Sequence, residues 1–148
     1  NMAINRHQLY EKCLVKVNDQ IEKYNEKLIS LKESLDSIDR HNDYDEEGKL
    51  LGEYEQISNY LDVAQKRKKL LNSIDRTKYT ESIQLGSVVE TKTNYYFIAA
   101  ALGEIGMDDG STVYTISTEA PIYQKLEGKK KGDTFTMKEE EIEILDVR

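Results

Sequence analysis

The chain has 148 residues, of which 38% are hydrophobic and 33% are charged, and its formal net charge is −7. Residues 81–148 carry much of this excess, with 13 acidic and 7 basic side chains. Because affinity for phosphate backbones depends on Lys and Arg, this balance disfavours independent binding to duplex DNA. A single cysteine, Cys13, excludes an intrachain disulfide, and two histidines with one cysteine give no zinc-site spacing.

A heptad pattern predicts two long helices in the first half of the chain. The first series predicts a helix over residues 5–39, roughly 50 Å long, from Tyr10, Leu14, Val17, Ile21, Tyr24, Leu28, Leu31, Leu35 and Ile38. The second predicts a helix over residues 49–73, from Leu50, Tyr54, Ile57, Leu61, Ala64, Lys68 and Leu71. Two such seams joined by a short polar segment are typical of an antiparallel coiled-coil hairpin. Its acidic tip is expected near residues 39–48, with Gly48 in the turn.

The period changes to that of strands from residue 86 onward. Strands are predicted over residues 87–91, 95–100, 112–116, 133–137 and 141–147. A short helix is predicted between Pro121 and Gly128, with proline at its first position, and Phe97 and Phe135 are predicted core residues. The chain is therefore predicted to be α+β. A coiled-coil hairpin domain spans residues 1–76, and a small, mostly antiparallel sheet domain with one short helix spans residues 77–148.

The segment Ile116–Asp133 carries a specific resemblance. It combines a strand ending Ile-Ser, an Ala-Pro-Ile step, Leu-x-Gly-Lys and Gly-Asp, and so resembles the GreA/GreB transcript-cleavage factors of bacterial RNA polymerase. Leu85–Val89 is similar to the family's opening strand, and the resemblance covers essentially the whole chain. It implies an FKBP-like C-terminal domain that docks on the polymerase and a coiled coil that enters the secondary channel. The docking residues it implies are Ser117, Ala120, Pro121 and Ile122.

The family carries an Asp-x-x-Glu pair at the hairpin tip, and the resemblance implies that Asp43 and Glu46 play this role here. The alternates are Asp45 and Glu47. The step Gly52-Glu53-Tyr54 looks like the family's Ala-Glu-Tyr but falls about four residues too far on. Aligned from that end, Glu47 and Leu50 would take the two positions instead, and the carboxylate pair would be broken.

The tip carboxylates have a chemical rationale. RNA hydrolysis by a two-metal route needs a second Mg²⁺ and an oriented water, and Mg²⁺ usually binds through one or two carboxylates together with water and substrate phosphate. Asp43 and Glu46 would therefore hold a Mg²⁺ shared with the polymerase. The chain would have no cofactor of its own and would be an accessory factor, not an enzyme. The alternative is that these carboxylates belong to a solvated loop and have no role in metal binding.

Three other functions remain open. A Gre-like secondary-channel binder could modulate or inhibit the polymerase without cleavage, the FKBP-like fold would also suit a prolyl isomerase or chaperone, and the heptads would suit a coiled-coil scaffold. The expected partner is RNA polymerase, with nascent RNA and DNA contacted only inside the elongation complex. No membrane span or signal peptide is expected, and we expect a cytoplasmic monomer.

Overall fold

The computed structural model of the chain describes residues 4–39 and 44–148. Two long helices come first, α1 (Arg6–Ser37) and α2 (Tyr44–Ser73). Six strands and a short helix follow, in the order β1 (Val88–Thr91), β2 (Tyr95–Ala99), β3 (Glu104–Gly106), β4 (Thr112–Ser117), α3 (Pro121–Leu126), β5 (Thr134–Met137) and β6 (Glu140–Val147). The predicted α+β class is confirmed.

The chain forms two compact units. The sheet unit comprises the residues up to Val15 together with Lys69–Arg148, and the hairpin unit comprises Lys16–Lys68. The start of α1 and the end of α2 thus pack with the strands that follow them in sequence. The domain boundary at residues 76–77 stays a prediction.

The hairpin unit is built on the heptad seam. Val17, Leu31 and Ala64 are buried there, and the rings of Tyr24 and Tyr60 pack with centroids 5.8 Å apart. Because two helices of 32 and 30 residues are linked by residues 38–43 alone, this contact between them requires that they run in opposite directions. None of the helices in the described ranges is long and apolar enough to span a membrane.

The second helix begins five residues earlier than predicted. Asp45, Glu46 and Glu47 form its first turn, and Gly48 is helical, so the prediction of Gly48 in the tip turn is wrong. Carboxylates in the first turn are stabilised by the positive end of the helix dipole. We attribute the early start to this effect, which offsets the cost of a helical glycine, about 1 kcal/mol.

The sheet has the strand order β3-β4-β2-β1-β6-β5. Four of the five strand pairings in the described part are antiparallel, whereas β2 and β4 are parallel, with Phe97 opposite Thr115. The parallel pair arises from β3, a strand that the sequence did not predict. This short strand forms a hairpin with β4 around residues 108–110 and lies on its far side, so β4 pairs with β2 directly.

Side chains cover the sheet on both faces. One face holds a core cluster that includes Ile98 of β2 and Tyr123 and Leu126 of α3. On the other face, the ring of Tyr10 in α1 meets that of Phe97 at 5.0 Å in an edge arrangement. Strands covered on both faces are apolar without alternation, which explains four consecutive buried residues in β2. The predicted core positions Phe97 and Phe135 are confirmed.

Candidate functional site

The first turn of α2 carries the carboxylates that the structure describes at the hairpin tip. Asp45 and Glu46 are exposed, and neither forms an ion pair with a residue in the ranges 4–39 and 44–148, Lys49 included. Asp43, the other member of the predicted pair, lies outside the described residues. The predicted site is therefore represented by Glu46 and by the alternates Asp45 and Glu47.

The alternative alignment of the tip would give Leu50 the second position. Leu50 occupies a seam position of α2 and is partly buried, as is Glu47 one turn earlier. A leucine side chain cannot bind a metal, so this alignment leaves Glu47 as the single carboxylate of the predicted pair. Among the described residues, Asp45 and Glu46 are the more accessible oxygen donors.

The described carboxylates of the tip fit Mg²⁺ as part of a shared ligand set. In the part of the chain that the structure describes, no group of three or more His, Cys, Asp or Glu residues could hold a metal. Mg²⁺ is commonly held by one or two carboxylates with water and phosphate oxygens supplying the rest. Asp45 and Glu46 could thus complete a metal site on another macromolecule.

An exposed aromatic residue stands beside these carboxylates. Tyr44 begins α2 and is 79% exposed, and Leu51, two turns further on, is 50% exposed. Neither belongs to the heptad seam, and this absence from the seam is the sequence signal that could have marked them. Both therefore expose apolar surface near the tip.

The predicted docking segment lies between β4 and α3. Ser117 closes a turn there: its carbonyl accepts the Ala120 N–H at 3.1 Å and its Oγ accepts the Glu119 N–H at 3.2 Å. Ala120 and Ile122 pack against the core cluster, whereas Pro121 is exposed at the first position of α3. Folding thus accounts for Ala120 and Ile122, and a docking role for these four residues stays a prediction.

A cluster of charged and aromatic side chains in the sheet unit has no counterpart in the predicted sites. Arg6 donates from Nη2 to the carbonyl of Gly86 at 2.8 Å, and the guanidinium carbons of Arg6 and Arg76 lie 5.8 and 5.2 Å from the Tyr10 ring centroid. Burial raises the pKa of Tyr10, against the opposing effect of both arginines. Arg76 also donates a hydrogen bond to Glu11, which lowers the pKa of that carboxyl. The cluster joins residues near the start of α1 to Arg76 and Gly86, which are 65 and 80 residues from their partners, so no local pattern could have revealed it.

Comparisons with known proteins give structural neighbours only. No protein-family model matches the chain, and no curated protein matches it. Among solved structures, the transcription factor Gfh1 is similar at 19% identity over 92% of this chain and 93% of that one, with a TM-score of 0.36. GreA factor homolog 1 (Gfh1) of Thermus thermophilus is similar at 18% identity over 93% and 95%, with a TM-score of 0.34. Gfh1 of Thermus aquaticus is similar at 18% identity over 93% and 94%, also with a TM-score of 0.34.

One of these neighbours is named as a homolog of the GreA factor. The identities and TM-scores of these neighbours are too low to carry function to this chain. Functional inference depends instead on the chain's own residues.

Proposed function

We propose that this chain is a Gre-type transcription factor that acts with bacterial RNA polymerase. More specifically, it would enter the secondary channel and stimulate cleavage of backtracked transcripts. The observation that most supports this proposal is the exposure of Asp45 and Glu46 at the start of α2, without ion pairs in the described ranges. Carboxylates left unpaired at the end of a helical hairpin are available to a metal held by a partner.

The proposed chemistry is hydrolysis of one phosphodiester bond of the RNA. Water attacks the phosphorus, the bond to the 3′ oxygen breaks, and that oxygen takes up a proton. A second Mg²⁺, when bound, would activate the water and stabilise the developing charge. Asp43 and Glu46 are the proposed carboxylates, with Asp45 and Glu47 as alternates. The polymerase supplies the remaining ligands, so the chain is an accessory factor without hydrolytic activity of its own.

The sheet unit would supply the affinity for the polymerase. Ala120 and Ile122 are held by the core cluster, which fixes the start of α3 and presents Pro121 on the surface. A surface residue held by a rigid segment loses little conformational entropy on binding. We therefore propose that Pro121 and the neighbouring Ser117 turn contact the polymerase.

A transcript-cleavage assay on backtracked elongation complexes tests the proposal. The wild-type chain should speed RNA shortening. Asp43→Asn with Glu46→Gln should reduce that rate by at least about 10- to 100-fold, because changing even the groups that orient a metal's ligands costs that much. Glu22→Gln is the matched control, because Glu22 is an exposed carboxylate on α1 that lies about four turns before the end of this helix at Ser37. The proposal fails if wild type leaves the RNA intact, or if shortening survives removal of every carboxylate from Asp43 to Glu47.

A second candidate function is modulation of the polymerase without cleavage. It is favoured by the location of Asp45, Glu46 and Glu47 in the first turn of α2, where they stabilise the helix without any metal. In this case saturating amounts of the chain would slow RNA synthesis, and the transcripts of backtracked complexes would not be shortened. Measuring elongation rate beside RNA length separates the two functions.

A further inference from the structure

The side chain of Arg6 is buried in the sheet unit with part of its hydrogen-bonding capacity unused. Arg6 is 9% exposed, and its Nη2 donates to the Gly86 carbonyl. Its Nε and Nη1 are buried and have no hydrogen-bond partner among the described residues. Buried charged donors are normally paired, because an uncompensated one is strongly disfavoured. The guanidinium therefore has unused donors in a location where unused donors are rare.

Aromatic rings compensate part of this charge. The guanidinium carbon of Arg6 lies 5.8 Å from the Tyr10 ring centroid and 5.3 Å from that of Tyr79. Cation–π contacts at such distances are favourable but satisfy no N–H group. Tyr79 is 66% exposed, so burial does not fix its ring over Arg6.

A cavity of about 230 Å³ opens beside Arg6. Lys78, Ser73, Thr80 and Gln84 contribute to its lining and add an ammonium group, two hydroxyls and an amide. Lys78 forms no ion pair within the described ranges. The Ser73 hydroxyl donates to the Leu70 carbonyl and the Thr80 hydroxyl is hydrogen-bonded to that of Ser87, so the attraction of the cavity for an anion comes from its two cationic side chains.

One carboxylate, that of Asp75, also lines the cavity. Its Oδ1 accepts hydrogen bonds from the backbone N–H and the hydroxyl of Thr77, at 2.9 and 2.7 Å. These bonds, and more weakly the charges of Lys78 and Arg6, lower the pKa of Asp75 below its ordinary value of 3.8, so its carboxyl is ionised at neutral pH. The lining named here therefore carries two positive charges against one negative charge, and the excess favours an anion.

We propose that this cavity binds a small oxyanion of the phosphate type, with Arg6 and Lys78 as its charged ligands. The guanidinium fork matches the spacing of phosphate oxygens, and lysine binds phosphate as a point charge. The volume lies below the roughly 300–1,000 Å³ that drug-sized ligands occupy. A single phosphate group suits it better than a larger molecule. This inference does not depend on the proposed function in transcription.

Bound phosphate would join three segments of the sheet unit. Arg6 begins α1, Lys78 follows α2, and Gly86, whose carbonyl holds Arg6, precedes β1. A ligand that binds only the folded state stabilises it in proportion to the logarithm of its concentration. The midpoint of thermal unfolding should therefore rise with phosphate at constant ionic strength.

The test is a titration of the full chain with inorganic phosphate at constant ionic strength, with chloride as the balancing anion. Calorimetry should give saturable binding, and the ¹⁵N resonance of the Arg6 Nε–H should shift along the same isotherm. Lys78→Ala, at an exposed position, should weaken binding about tenfold, as expected for loss of one charge-assisted hydrogen bond. Lys92→Ala removes an exposed lysine after β1, away from the cavity, and should leave the affinity unchanged.

Arg6→Lys keeps the charge but removes the fork, and it should weaken binding about 10- to 100-fold. Circular dichroism checks the fold of this variant. If the variant does not fold, the affinity of Lys78→Ala and the Arg6 resonance decide whether phosphate binds in the cavity. Adenosine monophosphate serves as a second ligand. If adenosine monophosphate binds more tightly than phosphate, the site is assigned to the phosphate group of a nucleotide. If it binds equally or more weakly, the site is assigned to free phosphate. The proposal is overturned if phosphate shows no saturable binding, or if binding neither moves the Arg6 resonance nor weakens in Lys78→Ala.

Discussion

The hairpin unit and the sheet unit bury their apolar side chains to very different extents. Among the described residues of Lys16–Lys68, only Val17, Leu31 and Ala64 are buried. The sheet unit buries a ten-residue cluster on one face and the Tyr10–Phe97 pair on the other. A narrow seam fixes which helices pair but contributes little buried area, whereas a sheet covered on both faces supplies most of the stability. Exposed residues of the hairpin can therefore vary at little cost to folding.

The largest loss of stability is expected for Phe97→Ala. Phe97 is fully buried in the central strand β2 and contacts the Tyr10 ring. Truncation should lower the free energy of unfolding by about 3–5 kcal/mol, as for other large-to-small core changes. Urea denaturation followed by circular dichroism measures this loss. A cost under about 1 kcal/mol, the usual range for surface positions, would contradict a core on this face of the sheet.

A smaller loss is expected for Gly86→Ala. Gly86 has φ of +93°, and an added Cβ would lie 2.9 Å from Ile74 Cγ2. Strain and displacement together should cost about 2–3 kcal/mol. Gly132→Ala is the matched control, because Gly132 also has φ of +93° but no atom within 4 Å of the added Cβ. The difference in thermal unfolding between the two variants isolates the clash, and equal losses would argue against close packing at Gly86.

The seam of the hairpin should respond more weakly still. Leu31→Ala removes a side chain that is 4% exposed and should cost about 2 kcal/mol, the lower end for buried leucine, because the narrow seam lets water reach the cavity. Ile29→Ala, at a neighbouring position that is 59% exposed, should change stability by less than about 0.5 kcal/mol. Hydrogen exchange of hairpin amides measures the change in stability of each variant. Equal effects at the two positions would argue against the heptad seam.

The smallest effect is expected for the pH dependence of folding stability that comes from Glu11. The hydrogen bond from Arg76 lowers the pKa of Glu11 below its ordinary value of 4.5. Because the folded pKa is the lower one, the stabilising contribution is present above pH 4.5 and is lost as pH falls through the folded pKa. Carboxyl ¹³C titration should show the pKa of Glu11 rising in Arg76→Gln. An unchanged pKa in that variant would contradict the ion pair.

The elements that sequence could predict are those whose signal is local. The Tyr10–Ile38 seam and the continuous apolar run of β2 identified their elements to within two residues. The three-residue strand β3 is too short to show alternation, and it forms through pairing with β4. The start of α2 was hidden because an acidic run followed by Gly48 has the composition of a loop.

The candidate sites also differ in whether their sequence signal is local. The Asp-x-x-Glu spacing at Asp43 and Glu46 is a local pattern, so sequence could propose it through a family resemblance. The Arg6 cluster is not local, since its partner Gly86 lies 80 residues further along the chain. Only folding brings such residues together, and no sequence period marks them.

The central claim is that the tip carboxylates of the hairpin unit supply the chemistry, whereas the sheet unit supplies the affinity for the polymerase. The dependence of the transcript-cleavage rate on factor concentration tests this claim most directly. Asp43→Asn with Glu46→Gln should lower the maximal rate and leave the half-saturating concentration unchanged. Pro121→Asp, an exposed change that the first turn of α3 accommodates, should raise the half-saturating concentration and leave the maximal rate unchanged. Tip variants that alter only the half-saturating concentration, or a wild-type chain with no cleavage at saturation, would contradict the account.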